Sequence, residues 1–153
     1  MLLTTPNQLY GLHMPENILI DLNVILDVLL ERKGFEASRD VIQLAEKDGL
    51  KIHISAHLVT TFAYLLEEAK VPNQEILHYI DWLLGIFRVV TTDESLLRSA
   101  LKSGIRDYED AVVERAAVTC QASVIITRNV RDFRASVVSA LLPESYLEGL
   151  NKT

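Results

Sequence analysis

Polar side chains directly follow two of the apolar segments that the sequence predicts to be strands. Asp21 ends the apolar run 17–20 and Asn23 comes two residues later, while Thr127 and Asn129 follow a β-branched run further along the chain. In an open parallel sheet, ligands bind beyond the carboxyl ends of the strands, where the strand order reverses. These residues are therefore candidates for one site at that edge of the sheet.

Three more aspartates belong to the same predicted edge. Asp107 and Asp110 bracket the start of a predicted helix that leads into the later strand, and Asp132 lies three residues after Asn129. Clustered carboxylates repel one another unless a hard cation lies between them. Mg²⁺ or Mn²⁺, held by a few carboxylates and several waters, fits such a cluster and can activate water against a phosphodiester.

Each of these residues also has a simpler structural interpretation. An aspartate at a strand end is more often a cap or a solvated group than a metal ligand. Asp107 and Asp110 suit the first turn of a helix, where an acid stabilises by about 0.3–1 kcal/mol. Asn23 is equally suited to capping, and residues 128–134 to a polar surface loop. The common location favours the functional interpretation, provided that the strands before Asp21 and Thr127 are neighbours.

Composition and charge restrict the class of protein. The 153 residues, 49% hydrophobic and 24% charged, suit one globular domain and exclude a low-complexity chain. A single cysteine, Cys120, excludes a disulfide framework and a four-cysteine zinc site. No apolar run approaches the roughly 20 residues that span a bilayer, so we expect a soluble, cytoplasmic protein with no membrane partner.

The distribution of charge is uneven. The net charge of −6 argues against a protein that simply coats nucleic acid, yet residues 98–134 contain seven basic and five acidic residues. Arginines beside acids suggest a phosphate-binding rim next to a metal site, although an ordinary solvated surface has the higher prior. The candidate phosphate contacts are Arg128, Arg131 and Arg134.

Strands and helices are predicted to alternate along the chain. Residues 1–16 show no clear period and are predicted to be an arm, followed by one domain over 17–150. Predicted strands are 17–21, 51–55, 87–90, 123–127 and a weak one near 138–142. Predicted helices are 23–33, 36–48, 56–70, 74–84, 93–103 and 108–120, with a helical turn from Pro143. This alternation predicts a three-layer α/β/α domain with a mainly parallel sheet.

Three blocks of the sequence resemble the signature blocks of PIN domains. They are Ile-Asp-Leu-Asn-Val-Ile-Leu-Asp at 20–27, Asp-Tyr-Glu-Asp-Ala at 107–111 and Ile-Thr-Arg-Asn-Val-Arg-Asp-Phe at 126–133. The resemblance covers roughly residues 17–148. It implies a Rossmann-like sheet of order 3-2-1-4-5, an acidic pocket for Mg²⁺ or Mn²⁺, and single-strand-directed ribonuclease activity, with single-stranded or structured RNA as the possible partner. Toxins of VapBC-type toxin–antitoxin pairs are the best-known members with this activity.

The resemblance also implies roles for individual residues. It makes Asp21, Asp110 and Asp132 the catalytic and metal-binding acids, with Asn129 beside Asp132 at the end of the strand. Asn23 and Thr127 match the polar residues that orient the acids, and Asp107 matches an additional acid. Possible partners are RNA, an antitoxin protein and a second copy of the chain, the last through Ile76, Ile80 and Leu83 unless these pack into the core.

One position departs from the family pattern and leaves a second function open. Many PIN nucleases have a glutamate about six residues after the serine that ends the second strand, but here Thr61 stands in that place. Thr61 can bind a metal-bound water but supplies no charge. The alternative is therefore a catalytically weak PIN scaffold that binds RNA or an antitoxin. A haloacid-dehalogenase-type phosphatase would need an acid where Asn23 stands.

Overall fold

Five short parallel strands form one sheet in the order β3-β2-β1-β4-β5. The computed structural model describes residues 16–47 and 49–152, so the predicted arm, apart from Glu16, lies outside the described residues. The strands are β1 (Asn17–Ile20), β2 (Lys51–Ser55), β3 (Arg88–Val90), β4 (Val124–Ile126) and β5 (Ser139–Leu141). The predicted fold class and strand order are confirmed.

Seven α-helices connect and cover the strands in the described parts of the chain. They are α1 (Leu22–Leu30), α2 (Phe35–Lys47), α3 (Ala56–Glu68), α4 (Asn73–Ile86), α5 (Glu94–Ala100), α6 (Tyr108–Thr119) and α7 (Pro143–Leu150). A short 3₁₀ helix, Val130–Phe133, follows β4. None of the helices in residues 16–47 and 49–152 has the length and apolar character needed to cross a membrane.

The central strand β1 explains why the sequence has an uninterrupted apolar run before Asp21. Ile18, Leu19 and Ile20 are all 0% exposed, because helices cover both faces of the sheet. β1 pairs with β2 on one side and with β4 on the other, with Ile20 opposite Ile126. The strand order therefore reverses between β1 and β4, which brings the two groups of polar strand-end residues together.

Some local predictions were wrong. Helix α4 continues through Gly85 to Ile86, although Gly85 was predicted to end it. Ile76 and Leu83 on this helix pack into the core, with 6% and 0% exposure, so they are not available to a second copy of the chain. For these two residues, the alternative that the sequence left open, packing into the core of the same chain, is the correct one.

The N-terminus of α3 has no side-chain cap, although the sequence places a serine, a residue that often caps helices, directly before it. Ser55 occupies the N-cap position of this helix, but its hydroxyl makes no capping hydrogen bond. The hydroxyl instead lies 2.7 Å from His57 Nδ1 and 3.2 Å from Thr92 Oγ1. It thereby links the ends of β2 and β3.

Candidate functional site

Asp21 lies at the point where the strand order reverses. Its backbone N–H donates to the carbonyl oxygen of Ile126 (2.9 Å), which extends the pairing of β1 with β4 by one residue. Its carboxylate accepts hydrogen bonds from the Leu22 N–H and the Thr127 hydroxyl, both at 2.8 Å. Burial raises the pKa of Asp21, and the Thr127 hydrogen bond partly opposes this shift. A buried carboxylate is thus held in a fixed orientation.

The turn after β4 is fixed by polar residues from both strand ends. The Arg128 N–H donates to Asn23 Oδ1 at 3.1 Å, and the Asn129 N–H donates to Thr127 Oγ1 at 3.0 Å. The carbonyl oxygen of Asn129 then accepts the Asp132 N–H at 2.9 Å, which begins the 3₁₀ helix. Asn23, Thr127 and Asn129 therefore set the position of the backbone that carries Asp132.

Asp107 and Asp110 lie at the N-terminus of α6. Asp107 caps this helix, because its Oδ1 accepts the Asp110 N–H at 3.1 Å. The pKa of Asp110 is raised to about 7, and burial contributes most to this increase. The remainder comes from four neighbouring carboxylates: Asp107, Asp21, Asp132 and Glu109. Asp110 therefore lies in a strongly negative environment that also includes Asp21 and Asp132.

These acids border a cleft with a volume of about 610 Å³. One part of its lining is formed by residues 104–107 together with Asp110, and the other by residues 131, 132, 134 and 135. The charged lining residues are Arg106, Asp107, Asp110, Arg131, Asp132 and Arg134. Asp21 is only 8% exposed and does not line the cleft. Arg106 was not predicted as a site residue, although its position next to Asp107 was a usable signal.

The donor chemistry of the cleft fits one kind of metal ion. Among the residues that the structure describes, no three acids, histidines or cysteines lie close enough together to enclose an ion. Mg²⁺ and Mn²⁺ do not need such a cage, because Mg²⁺ usually keeps several waters and binds through one or two carboxylates. The neighbouring acids that raise the pKa of Asp110 would favour a cation at this point. The residues therefore fit a largely hydrated divalent cation held by Asp110 and Asp132.

Arg128 does not have the role that the sequence suggested. Its guanidinium donates to Asp27 Oδ2, to both carboxylate oxygens of Glu144 (2.7 Å), to the Gly34 carbonyl oxygen (2.7 Å) and to Ser38 Oγ (2.9 Å). All three nitrogens are engaged by the protein, so we assign Arg128 a structural role and not a phosphate contact. Arg131 and Arg134 do line the cleft.

The contacts of Arg128 join three helices to the end of β4. Asp27 lies on α1, Ser38 on α2 and Glu144 on α7. Gly34 has φ +86°, and a Cβ there would come within 3.1 Å of Glu144 Oε1. Sequence reasoning missed these partners, although a buried aspartate within the apolar face of α1 was a signal for a paired charge.

Glu114 is a second residue that the sequence analysis missed. It lies one turn after Asp110 on α6 and is 0% exposed. Its carboxylate accepts the Ser103 hydroxyl (2.7 Å) and the Val137 N–H (2.8 Å), which lie next to the two segments that line the cleft, and it forms an ion pair with Arg115 (3.5 Å). The buried carboxylate thus links these two parts of the chain.

Thr61 is not among the residues that line the cleft, and neither is any other residue of α3. Its hydroxyl donates to the carbonyl oxygen of His57 at 3.1 Å, within its own helix. The glutamate that many PIN nucleases have at this position thus has no charged replacement from α3 in the cleft. The acids that surround Asp110 come from α6 and from the ends of β1 and β4.

Most of the chain matches a known protein family. Residues 17–131 match the family model described as PIN domain. No curated protein matches the sequence significantly.

Among solved structures, VapBC2 from Rickettsia felis, bound to a DNA fragment from its promoter, superposes with a TM-score of 0.65 at 12% identity. The match covers 82% of this chain and 98% of that chain. VapBC-1 from nontypeable Haemophilus influenzae gives 0.62 at 16%, covering 84% and 98%, and FitAcB from Neisseria gonorrhoeae gives 0.56 at 23%, covering 83% and 98%. At these identities the likeness concerns the fold.

Proposed function

Because the chain belongs to the PIN domain family, we propose that it is a metal-dependent endoribonuclease that cleaves RNA in the cleft beside Asp110. The observation that carries this proposal is the environment of Asp110, whose pKa is raised to about 7 by burial and by neighbouring acids. Clustered acids of this kind have no evident structural benefit, because like charges destabilise the folded chain. They are typical of sites that bind a divalent cation and a phosphodiester.

The side chains have separate tasks in this reaction. A bound Mg²⁺ or Mn²⁺ supplies Lewis-acid stabilisation and an acidic bound water. Asp110 and Asp132 line the cleft and would hold the ion. Asp21 does not line the cleft but adds negative charge near Asp110, and Thr127 orients its carboxylate. Arg106, Arg131 and Arg134 would bind phosphate oxygens at the cleft rim through charge-assisted hydrogen bonds.

We further propose that the protein is the toxin of a toxin–antitoxin pair, with an antitoxin protein as partner. The support is that several similar folds are described as VapBC proteins or as a toxin–antitoxin complex. A homodimer is proposed on the exposed side of α4, where Leu77 is 57% and Leu84 is 50% exposed. Light scattering that finds only monomers at micromolar and higher concentrations would contradict the homodimer.

The second candidate function is binding of RNA or an antitoxin without efficient cleavage. It is favoured by one observation, the absence of any α3 residue from the cleft lining, which leaves Thr61 outside the site. Fewer acids hold a divalent cation less tightly.

Cleavage of single-stranded and structured RNAs by the purified protein separates the two functions. We expect Mn²⁺ or Mg²⁺ to support cleavage and a chelator to stop it. Asp21→Asn should lower the rate by at least about 100-fold, by analogy with the loss of one preorganised electrostatic group elsewhere. Asp81→Asn, at an exposed position on α4, is the matched control and should cleave at the wild-type rate. RNA binding without metal-dependent cleavage would support the scaffold instead.

A further inference from the structure

Tyr108 presents an aromatic ring beside the cleft. It is the first residue of α6, follows the cleft-lining Asp107 directly, and is 46% exposed. Its hydroxyl donates a hydrogen bond to the carbonyl oxygen of Leu97 on α5 at 2.9 Å. The polar end of the side chain thus already has a partner in the protein, and the ring is tethered at both ends. A tethered ring loses little conformational freedom when a flat ligand stacks on it.

The segment 95–106, shortly before Tyr108, contains basic and apolar residues but no acidic ones. Three of its residues are basic. Arg98 is paired with Glu94, but none of the ion pairs in the described part of the chain involves Lys102 or Arg106. Leu101, which directly precedes Lys102, is 71% exposed. Cations without an ion pair, close in sequence to an exposed ring and an exposed leucine, suit a ligand that is both anionic and flat.

Tyr108 has an acid on either side of it in the sequence, Asp107 and Glu109. Asp107 lines the cleft. A cation bound in the cleft would balance this negative charge.

Exposure of an aromatic ring is not sufficient by itself, as Tyr64 shows. Tyr64 on α3 is 58% exposed, which is more than Tyr108. However, Glu67 and Glu68 lie three and four residues after it, so they neighbour it on the same face of the helix. Tyr108 also has acidic neighbours, but one of them, Asp107, lines the cleft, whereas no residue of α3 does. Of these two tyrosines, only Tyr108 directly follows a residue that lines the cleft.

We propose that Tyr108 is a stacking site for an unpaired nucleobase of the strand whose phosphate lies in the cleft. Proteins that bind single strands combine a basic groove along the backbone with aromatic rings on which bases stack. A base inside a duplex already stacks on its neighbours, so this site selects single-stranded or looped nucleic acid. The inference rests on the proposed function and adds to it a residue that would contact a base of the RNA outside the cleft.

Binding of labelled RNA oligonucleotides, followed by fluorescence anisotropy in Mn²⁺, tests the stacking site. All proteins carry Asp21→Asn so that the strand stays intact. Tyr108→Leu should raise the Kd by about 5- to 150-fold, the range measured for loss of one stacked base. Tyr108→Phe keeps the ring and loses only the hydrogen bond to Leu97, so its Kd should stay close to that of the parent. Tyr64→Leu is the matched control and should bind like the parent protein.

Oligonucleotides with one abasic position identify the base that stacks. At one position the parent protein should lose affinity, and Tyr108→Leu should lose none in addition, because both changes remove the same contact. The proposal is overturned if Tyr108→Leu binds as tightly as the parent, if Tyr64→Leu weakens binding equally, or if Tyr108→Phe is as weak as Tyr108→Leu.

The stacking site and the nuclease function can fail independently, and the experiments distinguish the two failures. If the wild-type protein cleaves no RNA in Mn²⁺ but Tyr108→Leu weakens binding as expected, the nuclease proposal fails and the stacking site holds. If the wild-type protein cleaves RNA and Tyr108→Leu leaves the Kd unchanged, only the stacking site fails.

Discussion

At the scale of single residues, Asp110 makes the most testable contribution. Its side chain lies among neighbouring acids, and its pKa is raised from 3.8 to about 7 in the folded protein. A carboxyl group with a raised folded pKa binds a proton more tightly in the folded chain than in the unfolded chain. Its contribution to stability is therefore fully present below about pH 4 and is lost as the pH rises through about 7.

Metal-free thermal melts check this pH dependence. Between pH 5 and pH 8 the melting temperature of the wild-type protein should fall more than that of Asp110→Asn, because asparagine does not ionise. The N-cap hydrogen bond to Asp107 uses the backbone N–H of residue 110 and survives the substitution. Identical pH profiles for the two proteins would show that Asp110 is not in a negative environment.

The proximity of Asp21 and Asp132 to Asp110 could be predicted from sequence, and the network of Arg128 could not. Asp21, Asp110 and Asp132 each follow or precede a predicted element at the same sheet edge, so the rule for parallel sheets places them. The partners of Arg128, Asp27 and Glu144, are 101 and 16 residues away in sequence. Only the packing of α1 and α7 against the end of β4 brings them together, and no local pattern encodes that packing.

At the scale of elements, the Glu114 side chain of α6 links the two parts of the chain that lead into and out of the cleft lining. Glu114→Met, which keeps the approximate size of the side chain, should leave the Ser103 hydroxyl and the Val137 N–H without their acceptor. We expect a loss of about 1–3 kcal/mol in the free energy of unfolding.

Hydrogen exchange should locate that loss at Val137, whose amide becomes less protected than in the wild-type protein. Glu148→Met, at an exposed position on α7, is the control and should change neither quantity. Unchanged protection at Val137 in Glu114→Met would contradict the linking role of Glu114.

The guanidinium group of Arg128 links the end of β4 to the helices α1, α2 and α7. Burial raises the pKa of Glu144, but the hydrogen bonds and charge of Arg128 outweigh this and leave the pKa below its ordinary value. Arg128→Lys keeps the charge but cannot reach all four partners, so we expect a loss of about 2 kcal/mol in stability. Arg39→Lys, in an exposed pair with Asp40, should cost less than about 0.5 kcal/mol.

A double-mutant cycle identifies the interaction. Glu144→Gln should cost much less in the Arg128→Lys background than in the wild-type protein, because the bidentate pair is already lost. Additive effects of the two substitutions on the free energy of unfolding would show that Arg128 and Glu144 do not act together.

Sequence periodicity predicted the elements well where successive residues of a segment are buried, as in β1 from Ile18 to Ile20. It predicted the ends of helices less well where contacts with distant residues determine them. The run before Asp21 is apolar at every position because β1 is covered on both faces. Gly85 does not end α4, since the helix continues until Phe87 enters an extended conformation before β3. The side chain of Ser55 is engaged by Thr92, a residue at the end of another strand, and so does not cap α3.

At the scale of the whole molecule, positive and negative charges are unevenly distributed along the chain. The chain has a net charge of −6, while the cleft is lined by three arginines and three aspartates. The overall negative charge disfavours nonspecific coating of nucleic acid, and the arginines at the cleft provide local attraction for a phosphate backbone. The order of the strands and the location of the site followed from the alternation of elements and from family resemblance. The cleft itself did not, because its lining comes from two separate segments of the chain whose neighbouring residues Glu114 links.

The most direct test of a metal-dependent nuclease centre is the rate of RNA cleavage as a function of Mn²⁺ concentration. The rates should be compared for the wild-type protein, Asp132→Asn and the control Asp81→Asn. The account predicts saturable cleavage by the wild-type and control proteins, no cleavage after Mn²⁺ is removed, and a shift of Asp132→Asn to higher Mn²⁺ concentrations with a lower maximal rate. A cleavage rate that is independent of Mn²⁺, or an Asp132→Asn curve that superposes on the wild-type curve, would contradict it.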